Sequence, residues 1–132
     1  MRIAIISMTL LALFLAGCEN LDREELVLSN AREAFAAGHF LEAEKAYESY
    51  LQTWPDGSER WEAMQRVLHV SLRVRGDKST AVSLLEAMYL EFGDDPEKAK
   101  AVLFQLGDVY GRELKKWDRA VEIWQKCLAR GS

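Results

Sequence analysis

In this 132-residue sequence the side chains best suited to covalent or metal chemistry are scarce: two cysteines and two histidines. Cys18 closes the run LAGC, Leu15 to Cys18, where an apolar stretch gives way to Glu19, Asn20, Asp22 and Arg23. Cys127 sits in a segment of helical spacing and reads as a small buried apolar residue. His39 falls in a turn and His69 inside a helix, neither within HExxH or ExxH spacing, and no cysteine pair makes a metal site. The serines form no nucleophile elbow, and the carboxylates lie on helix faces where solvation accounts for them. The expectation is a protein that is not an enzyme and holds no metal and no cofactor. The chemistry to explain is that of Cys18.

The residues before Cys18 have the layout of an export signal: one positive charge at Arg2, an apolar core from Ile3 to Leu15, then the small residues Ala16 and Gly17. A core of about 13 residues is too short for a transmembrane helix, which needs about 20. LAGC resembles the bacterial lipobox. That resemblance implies cleavage before Cys18 and a covalent lipid on its thiol, with more than one acyl chain giving stable attachment. The expected division is a lipoprotein signal peptide at 1–17, a lipidated N-terminus and short tether at 18–23, and a folded domain at 24–132. In lipoproteins an acidic residue directly after the cysteine can favour inner-membrane retention, most strongly an aspartate; Glu19 and Asn20 stand there instead, and the expected location leans to the periplasmic side of the outer membrane. With Cys18 lipidated, Cys127 has no partner for an internal disulfide.

Of the 17 basic side chains only Arg2 falls in 1–17, and none of the 21 acidic ones does, so the mature chain is more acidic than the precursor. Nucleic acid is therefore not an expected partner. The residues after Gly17 suffice for one domain of ordinary size.

Breakers at Gly38–His39, Pro55–Gly57, Gly76–Asp77, Gly93–Pro96 and, weakly, Leu114–Lys116 cut the chain into six segments of helical length. Apolar residues recur at three and four positions within them, as in Trp61, Met64, Val67, Leu68 and Leu72. The expected fold is all-α, with helices near 22–37, 40–53, 58–75, 78–92, 96–113 and 117–129. Short turns make neighbours antiparallel hairpins. Phe40, Ala43, Tyr47, Tyr50 and Leu51 repeat as Trp117, Ala120, Trp124, Cys127 and Leu128, with a degenerate middle copy at Ala81, Leu85, Met88 and Tyr89. Phe40, Tyr47, Trp117 and Trp124 are expected in the core, and Ala31 and Gly107 as the small residues that let hairpin partners approach.

This pattern resembles the tetratricopeptide repeat over nearly all of 24–129, at a longer spacing. The resemblance implies three antiparallel hairpins stacked as a short right-handed solenoid and a protein–protein interaction role. Together with the lipobox it implies a membrane-anchored module binding or scaffolding envelope proteins. The alternative is a structural subunit of an envelope assembly, using its terminal or convex faces. The first helix of each hairpin would line a concave groove through Leu28, Arg32 and Phe35, then Arg66, Val70 and Arg73, then Phe104, Asp108 and Arg112. Its four arginines suit an acidic or C-terminal peptide segment, although Asp108 and Arg112 also stand at local ion-pair spacing. The last helix, through Ile123, Cys127 and Leu128, is expected to be partly uncovered and to self-associate or dock a partner.

Overall fold

The computed structural model describes residues 22–130 and is all-α there, with no strand among the described residues. Cys18 and the segments 1–17 and 18–21 lie outside the described residues. The chain divides into two compact units, one ending at Asp56 and the other beginning at Gly57.

The first unit holds one hairpin, α1 (22–36) and α2 (Phe40–Thr53). Leu28, Ala31, Ala43, Tyr47 and Tyr50 are buried between them, and Trp54 stacks on Tyr50 at 5.5 Å. The buried Tyr50 hydroxyl donates to Glu24 Oε1 at 2.9 Å, so α1 and α2 are joined at the end away from the turn.

The second unit contains two hairpins. The first is α3 (Arg60–His69, extended by a π turn at Val70–Val74) with α4 (Lys78–Phe92). The second is α5 (Pro96–Asp108, extended by a π turn at Val109–Glu113) with α6 (Trp117–Arg130). Helices α4 and α5 start where an aspartate side chain serves the first free N–H groups. Asp77 accepts from Thr80 N at 3.0 Å, and Asp95 accepts from Glu97 N and Lys98 N, with Pro96 at the first helical position where it loses no bond.

Packing between the hairpins is continuous. Met64, Val67, Leu68, Val70, Ala81, Leu85, Met88, Ala99, Val102, Leu103, Leu106, Ala120, Ile123 and Cys127 are all buried. Trp61 meets Phe92 edge to face at 5.1 Å, with the Lys98 ammonium over both rings, so α3, α4 and the start of α5 are pinned at one end. Lys78 donates to the Glu113 carbonyl at 3.2 Å and ties the start of α4 to the end of the α5 π turn. Arg60 grips Glu91 through two bonds of 2.6 and 3.0 Å, a bidentate pair between the ends of α3 and α4.

Helix boundaries agree with the periodicity to within a residue or two, and Cys127 is buried and free. Its thiol donates to the Lys100 carbonyl of α5 at 3.5 Å. One aromatic expectation is corrected: Trp117 is 51 % exposed. It opens α6, beyond the reach of the core, and only its ring edge rests on Gly111. Tyr47 is fully buried, whereas Phe40 and Trp124 are partly buried.

Candidate peptide-binding groove

One exposed row of α3 carries Arg66, His69 and Arg73, spaced by three and four residues so that their side chains leave the helix on one side. The second unit has a shallow, open depression there of about 510 Å³, walled by Trp61, Glu62, Gln65, Leu68 and Leu72, with Gln105 reaching in from α5. Trp61 is held in place by Phe92 and Lys98, so the aromatic wall is rigid. The depression combines two guanidinium forks, an imidazole, two amides, an aromatic surface and the single carboxylate of Glu62, a set with more cationic than anionic groups that can bind carboxylate and main-chain groups of an extended peptide.

The structure brings Arg66 and Arg73 together as the spacing required. Other expected groove residues are placed differently. Val70 has no exposed surface and belongs to the core. The helix is still regular there, with Val70 N donating to Arg66 O, and a step of four residues turns Val70 about 40° past Arg66, toward the buried Ala63 and Val67; the π turn begins only beyond it, with the bond from Arg75 N to Val70 O at 2.9 Å. Leu28 is likewise buried, 4 % exposed, inside the first hairpin. Phe104 is 58 % exposed but does not line the depression; its neighbour Gln105 does. Arg112 is exposed and bound to Asp108 at 2.8 Å, one turn back on the same helix, so its charge is locally compensated. Arg32 and Phe35 belong to the first unit, where Arg32 is exposed and Phe35 meets Phe40 edge to face at 5.2 Å across the α1–α2 turn. Of the expected stripe of four arginines, the two that border the depression are Arg66 and Arg73.

Sequence reasoning missed Trp61, Gln65, His69 and Gln105. Trp61, Gln65 and His69 follow one another at four-residue steps along α3 and were legible as a row from that spacing. Gln105 was not, because its place depends on how α5 crosses α3.

The end of the last helix also differs from expectation. Ile123 and Cys127 are buried, 5 % and 6 % exposed, whereas Leu128 is 74 % exposed. The buried row of α6 is Ala120, Ile123 and Cys127, and the uncovered one is Trp117, Val121 and Leu128, with the partly buried Trp124 between them. No group of His, Cys, Asp and Glu suited to a metal ion occurs among the described residues, and none of their helices is long and apolar enough to cross a membrane.

Residues 101–130, most of the α5–α6 hairpin, match the family model of the tetratricopeptide repeat. No curated protein matches the chain. The hairpin that matches carries the Leu106, Gly107, Tyr110, Ala120 and Trp124 pattern, so its all-α hairpin fold is tetratricopeptide-like.

Proposed function

We propose that this chain is a membrane-tethered adaptor of the bacterial cell envelope, lipidated at Cys18 and facing the periplasm from the outer membrane, which holds an acidic or C-terminal peptide segment of an envelope protein on the α3 groove. The observation that carries the binding role is the opening of Arg66 and Arg73 onto one depression beside the fixed Trp61 ring and Gln105. Arginine forks at that spacing recognise carboxylates bidentately, and an otherwise acidic chain makes the local positive charge selective. The LAGC run supports the tether: about four extended residues from Cys18 to Asp22 span at most roughly 14 Å, which keeps the repeats near the bilayer. The adaptor acts by holding its partner and performs no reaction.

A two-part experiment tests this. A labelled hexaglutamate peptide with a free C-terminal carboxylate should bind the chain with marked salt dependence. Arg66→Glu combined with Arg73→Glu should weaken binding at least ten-fold and flatten the salt dependence, with helicity and melting unchanged because both side chains are exposed. In cells, Cys18→Ser should abolish acyl labelling and displace the protein from the membrane. Binding that keeps its strength and salt response removes the groove from the mechanism. Labelled acyl chain persisting in Cys18→Ser removes the tether.

A further inference from the structure

The two hairpins of the second unit are offset by 39 residues: Ala81 and Ala120, Leu85 and Trp124, and the π turns at Val70 and Val109 all obey that step. The same step relates the uncovered row of α6 to a row of α4. Trp117, Val121, Trp124 and Leu128 correspond to Lys78, Val82, Leu85 and Tyr89. On α4 that row is covered. Leu85 has no exposed surface, Val82 and Tyr89 are partly buried, and Lys78 is engaged by Glu113. The cover is α5, joined at the Tyr89 end by α6: Leu103 and Leu106 of α5 border the same cleft as Tyr89, Lys126 and Arg130 of α6 lie over the Tyr89 ring at 4.8 and 5.2 Å, and Ala99, Val102, Leu106 and Val109 of α5 recur at three and four positions as a buried row. The α6 row is the more apolar of the two, yet Trp117, Val121 and Leu128 are 51, 48 and 74 % exposed.

We infer that the outer face of α6 is the seat for an amphipathic helix of a partner protein, laid against α6 as α5 is laid against α4. The interface between α4 and α5 defines the occupant: a helix antiparallel to α6, with small and aliphatic residues at the spacing of Ala99, Val102 and Leu106. This protein's own α1 does not meet that description. Aligning Ala31 with Gly107 sets Arg23, Leu26, Asn30 and Glu33 at the places of Ala99, Val102, Leu106 and Val109. Three of these four are polar and all four are exposed, so a second copy stacked head to tail would bury them without partners against the α6 row. The seat lies on a different helix from the groove residues Arg66 and Arg73, so it stands or falls separately from the groove.

The test uses the full chain and a synthetic peptide of residues 95–114, which reproduces α5 with its Asp95 cap. The peptide should bind and shift the chain's tryptophan emission to the blue. Val121→Glu combined with Leu128→Glu in the chain should weaken binding at least ten-fold while leaving melting unchanged, because both side chains are exposed. A peptide carrying aspartate in place of Val102 and Leu106 should not bind. Absence of binding at millimolar peptide, or binding indifferent to the Val121 and Leu128 substitutions, overturns the inference. Sedimentation showing the chain alone as a dimer that Val121→Glu with Leu128→Glu converts to monomer assigns the face to a second copy, and overturns it equally.

Discussion

The hairpin of the first unit and the two hairpins of the second solve one packing problem in two ways. In each, an alanine at 43, 81 or 120 is followed four residues later by a large buried or partly buried residue, Tyr47, Leu85 or Trp124. The residue at the matching place on the preceding helix is Ala31, Leu68 or Gly107, so the pairs are Ala with Tyr, Leu with Leu and Gly with Trp. Gly107 lies against the Trp124 ring, and the matching places hold a small and a large residue in the first hairpin and two medium ones in the middle hairpin. The division of volume between the two places therefore changes from hairpin to hairpin, each pair filling its own surroundings as close packing demands. The chain path differs as well. Ala31 stands twelve residues before its alanine, whereas Leu68 and Gly107 stand thirteen before theirs. The added residue is absorbed by the π turns of the second unit and by the bonds that follow them, Asp77 N to Ser71 O and Lys116 N to Tyr110 O, both 2.8 Å. In the first hairpin the corresponding bond spans one residue fewer, from His39 N to Ala34 O at 2.9 Å.

The comparison is broken most severely at Gly107. A Cβ there would come within 2.3 Å of Trp124 Nε1 and 2.5 Å of Cδ1, and the indole N–H is already buried without an acceptor among the described residues. Gly107→Leu should cost about 3 kcal/mol, since neither helix can withdraw without losing the rest of its contacts. Gly107→Leu with Trp124→Leu installs the pair of the middle hairpin and should recover most of that loss, a coupling readable in a double-mutant cycle by urea denaturation. Equal instability of the single and double variants would show that the three pairs are not interchangeable solutions.

These pairs also mark how far the sequence could be read. Six helices and their ends followed from apolar spacing and from Gly, Pro and Asp at the breaks, because local physics sets those features. The repeat was visible through its alanines and aromatics. The π turns were not, since an extra residue in a helix is indistinguishable from a longer connection until its i to i+5 bond is seen. Val70 was misplaced for a simpler reason, since four residues on from Arg66 a regular helix already turns toward the buried Ala63 and Val67. Arg66 and Arg73 were legible because they share a helix, and Gln105 was hidden because it comes from another. On α6 the two apolar rows are both periodic, and periodicity alone could not say whether Ile123 and Cys127 or Trp117 and Val121 faced inward.

A smaller effect sharpens the comparison at the hairpin turns. Gly38, Gly76 and Lys115 each stand five residues before the repeat alanine, and all three have positive φ, of 81, 65 and 57°. Glycine takes this conformation without steric cost, whereas a lysine Cβ crowds its own carbonyl. Lys115→Gly should therefore stabilise the last hairpin by roughly 0.5–1 kcal/mol, less the entropy a glycine adds to the unfolded chain. Gly76→Ala should act in the opposite direction. A stabilising Gly76→Ala would mean that the turn conformation is not what relates these three positions.

The smallest expected effect lies at the residue after the second turn. Asp77 accepts from the Thr80 hydroxyl at 2.7 Å and from its backbone N–H at 3.0 Å, and these bonds hold its carboxyl below the usual value of 3.8. The first hairpin has His39 at the same place, and it makes no side-chain cap. A carboxylate whose folded pKa is lowered adds stability that is complete above its unfolded pKa and disappears as pH falls through the folded one. The second unit should accordingly lose a small increment of melting temperature as pH drops from about 5 to below the carboxylate range. Asp77→Asn keeps an oxygen acceptor at the cap but cannot titrate, so it should reduce that increment while leaving the helix start intact. The carboxylate stands at the surface and is screened by solvent, so the difference will be slight and is best read as the change in slope of melting temperature against pH between the two proteins. An unchanged slope would mean that the cap acts through hydrogen-bond geometry alone, with no contribution from charge.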